Sequence, residues 1–159
     1  KDGEILQLGS QNWTVLHTPG HHPEHLCLIS NSGLIAGDMV AGIGTILIPP
    51  GQGDMMTYIE QLERLLDLDP HLIFPSHGPV IPLPSRTLEH YIRHRSIRHD
   101  KVLAAVEEGN SSLETIAKIA YQDTPDAHPG LAVDQTLSHL ISHEKDGKVM
   151  RADDGWVRT

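Results

Sequence analysis

The chain has 159 residues, a formal charge of −9, and is 38 % apolar but only 4 % aromatic. That length suits one ordinary domain or two small ones, and the apolar share supports a packed core and argues against disorder. The acidic balance, with 7 basic and 11 acidic groups over residues 1–106 and 5 and 10 over residues 107–159, argues against bulk electrostatic binding of nucleic acid. No segment reads as a signal peptide or reaches transmembrane length, so no membrane partner and a reducing cytoplasm are expected. Cys27, the only cysteine, sits in an apolar run and reads as a core thiol. The chain opens at Lys1 directly into a strand-like segment, which reads as a cut inside a larger protein.

Alternation predicts strands over 4–8 and 13–17, joined by the turn Gly9-Ser10-Gln11-Asn12. Short apolar strands follow over 25–30 and 34–36, around the tight turn Asn31-Ser32-Gly33. A glycine-rich stretch, 37–53, contains the apolar run Ile43–Ile48. Asp54 is placed to cap a helix whose apolar positions are Met55, Ile59, Leu62, Leu65 and Leu66. A buried strand over 71–74 ends at Pro75.

One long helix is predicted from 85 to 108, with Arg95 and His99 near the centre of its apolar stripe, where a charge needs a partner. Gly109-Asn110 breaks it, and Ser111 with Glu114 reads as a capping box for a helix over 113–121. A third helix, 131–144, leads into a hairpin turning at Ala152-Asp153-Asp154-Gly155. Three helices and a hairpin make a winged-helix pattern, so two domains are expected: 1–108, including helix 85–108, and 109–159.

Twelve histidines are the compositional oddity. Three polar residues share a position just past a strand: His21 in His17-Thr18-Pro19-Gly20-His21, Asp38 in Ala36-Gly37-Asp38, and His77 in Ser76-His77-Gly78. A sheet fixes the backbone while the loops at its edge let side chains converge. Two imidazoles and a carboxylate suit zinc, and a carboxylate can bridge two metals. Three unrelated polar turns would look the same by spacing alone. His90, His94, His128, His139 and His143 read as solvated, and Arg93, Arg98 and Lys101 as a solvated face or a guide for a polyanion.

In this order the HTPGH, AGD and SHG motifs resemble the later motifs of the metallo-β-lactamase superfamily. The tract from Gly42 to Tyr58, with Tyr91-Ile92-Arg93-His94-Arg95 and Arg98, resembles its ribonuclease-like branch with a C-terminal winged helix. The resemblance implies an α/β fold: the C-terminal half of an αββα sandwich, followed by a small α+β winged helix. It implies that His21 binds one metal, that His77 binds a second, and that Asp38 bridges both and is the catalytic residue. His25 matches a recurrent supporting histidine. Family members take their remaining ligands from an upstream His-x-His-x-Asp-His motif, which this chain lacks. His22, Glu24 and Ser76 depart from the usual small or acidic residues beside the ligands.

The implied activity is metal-dependent hydrolysis of a phosphodiester, single-stranded RNA in particular, or of another small ester. The parent would hold two zinc ions; this chain alone would hold one weakly or none and be nearly inactive. A sheet face bearing Val15, Leu26, Leu28 and Ile35 is expected to need a cover, either the missing N-terminal half or a second copy in a homodimer. The competing reading is a winged-helix module binding nucleic acid or protein. The acidic 109–159 region favours an oligomerisation or lid role over nucleic-acid docking.

Overall fold

Residues alternating between two environments build the sheet. The computed structural model describes all 159 residues. It runs β1 (Ile5–Leu8), β2 (Gln11–His17), β3 (Leu26–Ser30), β4 (Gly33–Gly37), α1 (Met55–Asp67), β5 (Ile73–Pro75), α2 (Pro84–Glu107), α3 (Leu113–Ala120), α4 (Pro129–Lys145), β6 (Val149–Ala152) and β7 (Gly155–Arg158). The first five strands pair in chain order, antiparallel except for the parallel β4–β5 contact. β2, β4 and β5 therefore run in one direction and end at the same edge. Strands begin later or earlier than the alternation suggests by a residue or two. Ile43–Ile48 forms no strand, although Ile46 and Ile48 are buried.

One face of the sheet carries Leu16, Cys27, Leu34, Ala36 and Ile73, packed with Tyr58, Leu62 and Leu65 of α1 and Leu88 and Tyr91 of α2. Asp54 caps α1, accepting from Thr57 N–H. On the other face Val15 is buried on an interior strand, whereas Leu26 is 51 % and Ile35 38 % exposed.

α2, with Pro84 at its first turn, spans 24 residues, about 36 Å. Its first half serves the core just described; Val102, Ala105 and Val106 belong to a second cluster with Ile116, Leu140, Val149 and Trp156. α3 is capped by Ser112, accepting from Thr115 N–H, and not by Ser111. The carbonyl of Ser111 is instead taken by Trp156 N–H, which ties β7 to the start of α3 and moves the cap one residue on. No helix is long and apolar enough to cross a membrane.

Three polar residues read as solvated are buried. Arg98 is 2 % exposed, donating to the Ala120 carbonyl and to Asp123 at 2.8 Å, with its guanidinium 4.1 Å from the Tyr121 ring centre. It faces α3, so it cannot guide a polyanion. His139 and His143 are 0 % and 1 % exposed between α2 and α4. The buried face of α4 is largely polar, so hydrophobic periodicity gives no sign of it.

Candidate metal centre

The common edge where β2, β4 and β5 end carries His21, Asp38 and His77 in the loops beyond. His77 Nε2 lies 3.2 Å from Asp38 Oδ1, and His21 Nε2 lies 3.8 Å from Asp38 Oδ2. The two imidazoles thus approach different oxygens of one carboxylate. The site is open: the side chains of His21, Asp38 and His77 are 25 %, 33 % and 71 % exposed.

The His21 ring and the Asp38 backbone are aimed by identifiable contacts. His21 Nδ1 lies 2.8 Å from the Leu47 carbonyl, which can only accept. The ring proton therefore sits on Nδ1, and Nε2 presents a lone pair towards Asp38. His25 Nε2 accepts from Asp38 N–H at 3.0 Å, so its own proton is on Nδ1, 2.8 Å from Thr18 Oγ1. Thr18 Oγ1 in turn lies 3.3 Å from Cys27 Sγ. Burial, and then the neighbouring His21, hold the His25 imidazole below its ordinary pKa. His25 is thus a neutral brace for the Asp38 backbone, with both ring nitrogens engaged.

The glycines of the motifs are steric requirements. Gly37 has φ +53°, and a Cβ there would meet His25 Nε2 at 2.5 Å. Gly20, at φ +133°, would put a Cβ 2.4 Å from Tyr58 Cα, so the ligand loop lies directly on α1.

The loop 42–53 that orients His21 is itself held from the helices. Arg95, 1 % exposed, donates to the Ile46 carbonyl, to Gln135 Oε1 and, at 2.8 Å, to Thr45 Oγ1. It has carbonyl partners in place of a carboxylate. Gln135 Nε2 and Ser138 Oγ, both on α4, donate to the Ile48 carbonyl at 3.0 and 2.6 Å. Tyr91 Oη accepts from Ala41 N–H and donates to the Gly44 carbonyl, each at 3.0 Å.

The donor set fits a metal. Asp38 Oδ1 is buried and reached by no hydrogen bond, which leaves a carboxylate oxygen wanting a cation. Sequence reasoning brought out these three residues but not the Leu47 carbonyl, whose role depends on a loop path no periodicity reveals. It also missed a second trio, His99, His143 and Asp146, whose ligand atoms all lie within 4.8 Å of one another.

Known proteins resemble this chain in sequence and in fold. A "Beta-lactamase-like protein 2 homolog" of Drosophila melanogaster is 37 % identical over 142 residues, covering 87 % of this chain and 47 % of its own length. An "Atrochrysone carboxyl ACP thioesterase" of Paecilomyces divaricatus is 24 % identical, covering 99 % of this chain and 50 % of its own. The crystal structure of a beta-lactamase domain protein from Burkholderia ambifaria superposes with a TM-score of 0.86 at 26 % identity, over 100 % of this chain and 51 % of that one. The chain therefore spans about half the length of the relatives it matches. The Metallo-beta-lactamase superfamily profile matches residues 1–77, the stretch that holds all three edge residues. Over residues 1–77 the chain thus matches the metallo-beta-lactamase superfamily, and over its whole length it shares the fold of a beta-lactamase domain protein.

Proposed function

We propose that this chain supplies His21, Asp38 and His77 to a dinuclear zinc centre that hydrolyses a phosphodiester or a related ester. The observation that carries the reading is the Asp38 carboxylate set between two imidazoles, with its buried Oδ1 lacking a donor. His21 would hold one ion, His77 the other, and Asp38 both. A metal pair held there would polarise the scissile bond and make water acidic enough to ionise near neutral pH. The residues of the chain contribute position: Leu47 fixes the His21 tautomer, and His25 fixes the backbone of Asp38.

An anionic substrate is supported by a groove lined by Gly42, Pro79, Arg86, Glu89, His90 and Arg93, in which two guanidinium groups outweigh one carboxylate. It starts two residues past His77, and its two guanidinium groups suit a phosphodiester. The thioesterase relative favours a thioester as the second reading.

Three ligands leave positions to be filled, and the exposed Leu26 and Ile35 face suits a packed sheet. Both are explained by the complementary half of an αββα sandwich carrying the remaining ligands. Residues 109–159, with helices α3 and α4 and the β6–β7 hairpin, form a winged-helix domain in this reading. Its part is to brace loop 42–53, since Gln135 and Ser138 reach that loop from α4.

Zinc titration followed by histidine ring resonances tests the half-site. His21 and His77 are expected to shift together, and Asp38→Asn to abolish both shifts. A His77 resonance indifferent to zinc refutes the assignment. Turnover of bis(p-nitrophenyl) phosphate by this chain alone is expected to be near background, and a rate typical of an intact hydrolase would overturn the half-site. With an upstream His-x-His-x-Asp-His half supplied, cleavage of thioesters but not of phosphodiesters would replace the substrate class.

A further inference from the structure

Where α2 crosses α4, His99, His139 and His143 are buried, at 8 %, 0 % and 1 % exposure, and the sheet-edge site uses none of them. The rings of His99 and His143 stack with centroids 3.6 Å apart and planes 20° from parallel. His143 Nε2 lies 2.9 Å from the His99 carbonyl. A carbonyl only accepts, so Nε2 carries the proton and Nδ1 holds a bare lone pair. That Nδ1 is buried with no hydrogen-bond partner. His99 Nδ1 lies 3.1 Å from His139 Nδ1, which leaves Nε2 as the nitrogen His99 can offer.

Asp146, the C-cap of α4, supplies a carboxylate. Ligand atoms of His99, His143 and Asp146 all lie within 4.8 Å of one another. Lys148 holds Asp146 Oδ2 at 3.0 Å, so Oδ1 is the oxygen left to offer. Burial, first among the causes, holds His99 down to about 4 and His143 below its ordinary value, so both rings are neutral near neutral pH, as ligands must be.

We propose that His99, His143 and Asp146 bind one divalent transition-metal ion of the zinc class, joining α2 to α4 away from the sheet-edge centre. Two imidazoles and one carboxylate suit zinc, cobalt or nickel, whereas magnesium and calcium prefer oxygen alone. A ligand imidazole is ordinarily held by donating its other N–H to a carbonyl, the arrangement His143 makes with His99. Bonds of about 2.0–2.1 Å in a tetrahedron put ligand atoms roughly 3.3 Å apart, so atoms now within 4.8 Å of one another would close in on an entering ion. Asp146 is exposed, which leaves an entry path and a fourth position for water. The Lys148 ammonium keeps its hold on Oδ2 while the ion takes Oδ1.

The test is made in the Asp38→Asn chain, so that the sheet-edge site cannot contribute. Equilibrium dialysis against zinc is expected to leave one ion per chain and to raise Tm. Adding Asp146→Asn, an exposed change that leaves the metal-free Tm in place, weakens binding roughly tenfold or more. His143→Gln removes binding altogether. Absence of zinc from the Asp38→Asn chain overturns the proposal, as does an affinity unaffected by Asp146→Asn. Neither result bears on the sheet-edge centre, which this proposal does not use.

Discussion

Replacing Arg95 with alanine removes the one cation buried beneath the loop that orients His21. Its guanidinium donates to the Ile46 carbonyl, Gln135 Oε1 and Thr45 Oγ1, and lies 5.7 Å from the Tyr58 ring centre. The exposed Thr45 can turn to water when the guanidinium is gone. The Ile46 carbonyl and Gln135 Oε1 are buried, and each acceptor stranded without a donor costs about 1–3 kcal/mol. The sum, about 4 kcal/mol, agrees with the roughly 3–5 kcal/mol lost when one partner of a buried charged contact is removed. Against a total stability of about 5–15 kcal/mol this is a large fraction. Urea unfolding should therefore show a midpoint far below that of the parent at unchanged slope, with Arg95→Met recovering only the packing part. A loss under about 1 kcal/mol for Arg95→Ala would show that water already satisfies those acceptors, and the bracing argument would fall.

Stability should decline on acidification through the histidines. His94 is held down to about 4, by burial and then by Arg95, and His139 well below its ordinary value, chiefly by burial. Because the folded pKa values lie below the unfolded value near 6.5, the unfolded chain takes up protons first. The contribution is complete above about pH 6.5 and is lost as pH falls towards 4, so urea midpoints measured with chelator present should drop across that window; a flat profile contradicts burial of these rings. Gly37→Ala places a Cβ 2.5 Å from His25 Nε2 at a φ of +53°, and should lower stability by about 1–3 kcal/mol. It should also displace the His25 ring resonances, and unchanged resonances would mean that the brace on Asp38 is not where the structure puts it.

Much of the architecture is legible in the sequence because its signals are local. Alternation marks β1 and β2, Asp54 caps α1, and Gly109 ends α2. Helical phase also places Arg95 inward, and the structure finds it at 1 % exposure with carbonyl partners. The same phase argument fails for α4. Its buried face is Gln135, Thr136, Ser138, His139, Ser142 and His143, among few apolar residues. A face that packs through hydrogen bonds leaves no hydrophobic stripe, so burial there depends on partners distant in sequence. Ile46, Leu47 and Ile48 are invisible for a related reason: their carbonyls do the binding, and every residue type has a carbonyl.

Leu47 stands between two fixed points. The carbonyl before it takes Arg95 of α2, the carbonyl after it takes Gln135 and Ser138 of α4, and its own takes the His21 ring. Three successive carbonyls thus join the sheet edge to α2 and to α4, whose Leu140 belongs to the other apolar cluster. Linkage between two such places is reciprocal. A ligand that favours the observed His21 orientation must, by the same free energy, disfavour opening of α4. Loosening of α4 must in turn reduce affinity at an edge it never touches. A helix with no side chain at the sheet edge can thereby set how tightly that edge holds its ion.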